Sequence, residues 1–74
     1  MKKPKAIYNV ERVVADMSLR GWNNLALARA AGLSPQTITD FLSGDRQTAK
    51  TADKIARALG YTVRRYFIRV EAVV

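Results

Sequence analysis

Apolar residues recur along this chain at helical spacing, and the runs are separated by cap and stop residues. Val10, Val13, Val14 and Met17 fall at i, i+3, i+4 and i+7. That spacing predicts a helix from Val10 to about Arg20 with one buried face. Asn9 is its natural cap and Gly21 its stop, while Arg20 in the last turn suits the helix dipole. Ala52, Ile55, Ala56 and Leu59 repeat the pattern in a helix capped by Thr48, running to Leu59 and stopped by Gly60. Two shorter helices lie between. One runs from Asn24 to Ala31, capped by Asn23 and ended by Gly32, with Leu27, Ala28 and Ala31 on one face. The next is capped by Ser34, has Pro35 at its first position, buries Ile38, Phe41 and Leu42, and closes at Gly44. Thr62 is placed to cap one last turn in which Val63, Tyr66 and Phe67 point inward.

After that turn the period changes. Ile68, Val70, Ala72 and Val74 alternate with Arg69, Glu71 and Val73, which predicts a strand. A lone strand is unstable in water, so it needs a partner. A continued helix is the rival reading, because Val63, Tyr66, Phe67 and Val70 also share a helical face. At the other end, Lys2, Lys3 and Lys5 repel one another and Pro4 blocks a helix. The chain therefore divides into a basic flexible arm (1–8), a helical domain (9–67) and an apolar tail (68–74). The tail is a candidate dimerisation strand.

At 74 residues the chain is one small domain with a modest core. It has neither Cys nor His. That removes disulfides, a typical zinc site, the commonest general base and the best nucleophile. No paired carboxylates or phosphate-cradling glycine loop appear, so no enzyme activity, metal or cofactor is expected. Thirteen Lys and Arg against six Asp and Glu give a net charge of +7. Such a field favours a nucleic-acid partner, with an anionic membrane second. No secretory core and no apolar run near the ~20 residues of a membrane span occurs. The expected location is the cytoplasm, on the nucleoid, or the host cytoplasm for a phage protein.

Two short helices joined by a tight glycine turn, the second capped by Ser, describe a helix-turn-helix. Residues 24–44, NLALARAAGLSPQTITDFLSG, resemble that of the phage lambda repressor, Cro and Xre family. The matching positions are Leu27-Ala28, Ala31-Gly32, Leu33-Ser34, Ile38 and Gly44; KIARALGYTVRRYF is similar to the family's fourth helix and short fifth one. The resemblance covers roughly residues 9–67. Two features depart from it. The loop after Gly44 is one residue short of the common spacing, and the usual proline there is absent, with Thr48 nearby. Ala31-Gly32-Leu33-Ser34, Thr37-Ile38-Thr39, Leu42-Ser43-Gly44 and Leu59-Gly60-Tyr61 are also similar to LacI-type headpieces. Those begin almost directly with the helix-turn-helix, whereas an amphipathic helix precedes it here. The resemblance implies an all-α, compact four- to five-helix lambda-repressor-like domain, with a short C-terminal β-strand as one reading of the tail. It also implies a sequence-specific regulator of double-stranded DNA, of repressor type, from a phage or prokaryote.

At the family's base-reading positions stand Pro35, Gln36, Thr39 and Asp40, with Thr37 beside them. A Gln amide pairs with adenine N6 and N7, and a Thr methyl suits the thymine methyl. Asp40 is either a base selector, accepting from cytosine N4, or the ion-pair partner of Arg46 or another base. The resemblance places DNA-backbone contacts at Asn24, Ser43 and Arg46, with Arg29 and the arm lysines Lys2, Lys3 and Lys5 as further candidates. Leu27, Ala28, Leu33, Ile38 and Phe41 are expected in the core, and Trp22 as a hinge packed on it. Homodimerisation is assigned to Tyr66, Phe67, Ile68 and Val70, reading a pseudo-palindrome. The alternative is an antitoxin-like regulator whose tail binds a partner protein.

Overall fold

The computed structural model describes residues 5–71. In chain order it forms β1 (Lys5–Tyr8), α1 (Val10–Leu19), α2 (Asn24–Ala31), α3 (Pro35–Ser43), α4 (Ala49–Ala58), a 3-10 turn (Val63–Arg65) and β2 (Phe67–Glu71). All four α-helices begin on a side chain that accepts a first-turn N–H. Asn9 accepts from Arg12 at 3.0 Å and Asn23 from Ala26 at 2.9 Å. Ser34 accepts from Thr37 and Thr48 from Thr51, each at 3.2 Å. Such caps stabilise by about 1 kcal/mol apiece. Helices α2 and α3 end on Gly32 and Gly44 in the left-handed conformation, at φ 69° and 87°. A side chain there would be strained. Thr62 precedes the 3-10 turn without making a side-chain cap bond, contrary to expectation.

The core draws on every helix. Val13 and Met17 come from α1, Leu27 and Ala28 from α2, Ile38 and Phe41 from α3, and Ala52, Ile55 and Ala56 from α4. Leu59, Tyr66 and Tyr8 complete it, while Trp22, Leu33, Leu42 and Val63 pack at its edge. The face of α1 is rotated from its predicted setting. Val14 is 43% exposed, and Asp16 is buried in its place at 2%. A buried carboxylate requires partners. Arg65 Nε and Nη2 donate to its two oxygens at 2.8 and 3.1 Å, and the Tyr66 hydroxyl donates at 2.6 Å. Arg20 adds a second clasp. Its guanidinium donates to the Asp16 carbonyl at 3.1 Å and to the Leu59 carbonyl, tying the end of α1 to the end of α4.

The tail is a strand over Phe67–Glu71, and its partner is the chain's own N-terminus. β1 pairs antiparallel with β2 in the register Lys5↔Glu71, Ala6↔Val70, Ile7↔Arg69 and Tyr8↔Phe67, which leaves Ile68 as a bulge. Lys5 to Tyr8 are therefore not part of a flexible arm: the apolar and aromatic residues Ala6, Ile7 and Tyr8 complete the sheet that the alternating tail requires. Lys2, Lys3 and residues 72–74 lie outside the described residues. Phe67, expected inward on a helical reading, is 43% exposed because the chain has already become a strand. Among the described residues no helix is long and apolar enough to cross a membrane.

The clasp on Asp16 gives stability an acid limb. Hydrogen bonds from Arg65 and Tyr66, with the nearby charges of Arg65 and Arg20, outweigh burial and hold its pKa down to about 2. An unfolded Asp titrates near ~3.9, so the unfolded chain takes up the proton first as pH falls. The contribution is present above about pH 4 and lost as the pH drops toward about 2. Asp16→Asn is expected to cost about 2–4 kcal/mol at neutral pH, by removing the counter-charge of Arg65 and turning an amide N–H toward one of the donors, and to flatten this limb. Denaturant melts followed by circular dichroism from pH 6 to 2 measure both effects.

Candidate nucleic-acid interface

Helix α3 is positioned by its apolar side. Ile38 and Phe41 are fully buried, and Leu33 and Leu42 pack beside them. The connection from α2 is tight, with the Leu33 N–H donating to the Ala28 carbonyl at 2.9 Å. The opposite side of α3 is polar. Pro35, Gln36, Thr39 and Ser43 are exposed, and Thr37 and Asp40 are half-buried.

Their hydrogen bonds separate the candidates. Thr37 is drawn inward, its hydroxyl 2.8 Å from the Ser34 hydroxyl as part of the helix cap. Thr39 donates its hydroxyl proton to the Pro35 carbonyl at 3.1 Å, which leaves its lone pairs and methyl for other contacts. Ser43 donates to the Asp40 carbonyl at 3.0 Å and accepts from the Asp45 N–H at 3.4 Å, closing the helix. Asp40 does not take Arg46 as its partner. Gln36 Nε2 donates to Asp40 Oδ1 at 2.8 Å, one helical turn away. Arg46 meets Asp40 only through the backbone, its N–H 3.2 Å from the Asp40 carbonyl.

Around α3, Asn24 is exposed at the N-terminus of α2, Arg29 is exposed on the same helix, and Arg46 is exposed in the loop after α3. Lys5 lies on β1. Among the dimerisation candidates, Phe67, Ile68 and Val70 are 43, 48 and 58% exposed. Tyr66 must be withdrawn from that set: it is 1% exposed, with its hydroxyl on Asp16.

A sequence model of the helix-turn-helix family matches residues 17–65, most of the chain. The chain belongs to the Cro/C1-type helix-turn-helix family, which is lambda-repressor- and Xre-like. Comparison with curated proteins and with solved structures gives no significant match. As a family member the protein is a DNA-binding regulator, and double-stranded DNA is its partner. The matched segment takes in α2, the turn, α3 and α4, whereas β1 and β2 lie outside it.

One residue that supports α3 had no sequence signal. Gln47, half-buried in the loop after α3, donates its Nε2 hydrogen to the Phe41 carbonyl at 3.0 Å and accepts the Tyr8 N–H at 3.4 Å. The Tyr8 ring stands 5.7 Å from Phe41 and 6.0 Å from Phe67. In this helix-turn-helix protein the terminal sheet thus rests directly on the end of α3. Gln47→Ala is expected to cost about 1 kcal/mol and to speed amide exchange at Tyr8 more than at Leu27, in the α2 core. Residue-resolved hydrogen exchange by NMR tests this.

Proposed function

We infer that this protein is a sequence-specific regulator of repressor type that reads the major groove of an operator with helix 35–43. The observation that carries this reading is the division of α3. Ile38 and Phe41 fix it to the core, while Gln36, Thr39 and Asp40 line its other side over the first turns. A helix fits the major groove with its N-terminal residues toward base edges. Gln36 is the principal base reader, with Thr39 and Pro35 beside it. Asn24 at the start of α2, where backbone N–H groups attract phosphate, serves the DNA backbone together with Ser43, Arg46, Arg29 and the lysines Lys2, Lys3 and Lys5. The net charge of +7 supports an encounter with DNA in the cytoplasm.

The protein acts as a homodimer in this reading. Phe67, Ile68 and Val70 are apolar and exposed on the sheet, which has two strands among the described residues, a surface that favours association. A two-fold dimer sets two recognition helices ~34 Å apart and reads a pseudo-palindrome.

Selection of bound duplexes from a random pool at near-physiological salt should enrich a palindromic consensus. Gln36→Ala should then weaken binding to that duplex by ~1–3 kcal/mol and leave binding to random duplex nearly unchanged. Equal loss on both would remove Gln36 as a base reader. Sedimentation of the Ile68→Lys, Val70→Glu double variant tests the dimer, with a shift to monomer expected. A dimer that persists, together with loss of binding to another protein, would favour the antitoxin-like alternative.

A further inference from the structure

Asp40 is an acid on the helix assigned to face DNA, where its charge opposes the phosphates. Its contacts supply a reason for its presence. An ionised carboxylate has no proton to give, so it can only accept. The amide nitrogen of Gln36 must therefore face it, as the 2.8 Å bond from Gln36 Nε2 to Asp40 Oδ1 shows. An unpartnered Gln on an exposed helix can turn its amide over and present oxygen and nitrogen in either order. Here one N–H is committed to Asp40, and Oε1 and the second N–H remain. The backbone that carries Asp40 is well anchored. Its carbonyl accepts from the Asp45 and Arg46 N–H groups at 3.0 and 3.2 Å and from the Ser43 hydroxyl at 3.0 Å. On the other side, the Ser34 cap holds the first turn, which contains Gln36.

The remaining edge of Gln36, an acceptor beside a donor, complements the N6 amino group and N7 of adenine. Guanine presents O6 and N7, both acceptors, so the fixed Oε1 would face O6. We propose that Asp40 is a positioning residue that acts through Gln36: it holds the amide in one orientation, and the coupled pair selects adenine over guanine. This rests on the major-groove reading given above. A Gln–Asp pair one turn apart also stabilises a helix slightly whatever the helix faces. The distinguishing property is therefore base preference rather than stability.

The test uses the full chain and the duplex that the wild type selects. The position read by Gln36 is the one whose preference is lost in Gln36→Ala. Affinity is measured at one fixed salt concentration for that duplex and for a copy with a G·C pair substituted there. The proteins are the wild type, Gln36→Ala, Asp40→Ala, the double variant and Asp40→Glu. Asp40→Ala should lower the discrimination about tenfold when Gln36 is present and leave it unchanged when Gln36 is absent. Asp40→Glu, which keeps a carboxylate within reach, should restore part of it. Loss of equal size in both backgrounds would overturn the proposal, because Asp40 would then act without Gln36. A Gln36-dependent position that selects guanine would overturn it too, as would a lowered melting temperature with unchanged discrimination. If the wild type enriches no duplex, the major-groove reading itself fails and the proposal falls with it. In the other outcomes the reading stands.

Discussion

The carboxylate of Asp16 is the constraint on which the arrangement of this chain turns. It is buried at 2% exposure, and its partners come from the far end of the sequence. Uncompensated, a charge in that position would cost several kcal/mol, so the fold is compatible with Asp16 only while Arg65 and Tyr66 stay in place. The clasp lies next to the point where β1 and β2 come together. Asn9, next to β1, donates its N–H to the Tyr66 carbonyl at 2.6 Å, and β2 begins at the following residue. The strand pair thus begins directly beside the clasp. Arg65 also lies over the Tyr61 ring at 4.1 Å, and Arg20 reaches the same ring at 5.6 Å, so the clasp continues to the end of α4.

From there the mechanical path to α3 is short. The ring of Tyr8, the last residue of β1, lies tilted against Phe41, the residue that seats the C-terminal half of α3 in the core. Gln47 bonds both. A domain of this size without disulfides has few means of holding an outward-facing helix at a fixed angle. Here the means are the Ser34 cap at one end, Ile38 and Phe41 in the middle, and the Gln47 bridge to β1 at the other. In the proposed reading role, a helix held in this way loses little further freedom on binding.

What could be read from the sequence was local. The caps Asn9, Asn23, Ser34 and Thr48 act on N–H groups within their own first turns, and Gly32 and Gly44 stop helices by backbone geometry alone. The two-faced character of α3 was equally legible, since Ile38 and Phe41 fall at helical spacing. The features that eluded a sequence reading depend on partners far along the chain. Asp16 looks like a surface acid until Arg65, 49 residues away, is placed on it. Gln47 is an ordinary loop residue until Tyr8, 39 residues earlier, arrives. The N-terminal segment read as an arm because its lysines and Pro4 dominate, yet Ala6, Ile7 and Tyr8 are what the alternating tail needed as its partner. Tyr66 read both as an inward residue of the last turn and as part of the dimer surface, because nothing local reveals that its hydroxyl has a buried carboxylate to satisfy.

The charge distribution gives α3 a specific part within the proposed function. The chain carries +7 overall, yet α3, PQTITDFLS, contains no Lys or Arg and one Asp. Attraction to the phosphate backbone must therefore come from residues outside the helix. That term is independent of sequence and weakens with salt. A helix that added positive charge would strengthen binding to every duplex alike. A helix that adds hydrogen-bonding groups and a single negative charge strengthens it only where the base edges match, and weakens it elsewhere. Specificity is a difference between affinities, so an acid next to the reading amide can raise that difference even while it lowers both.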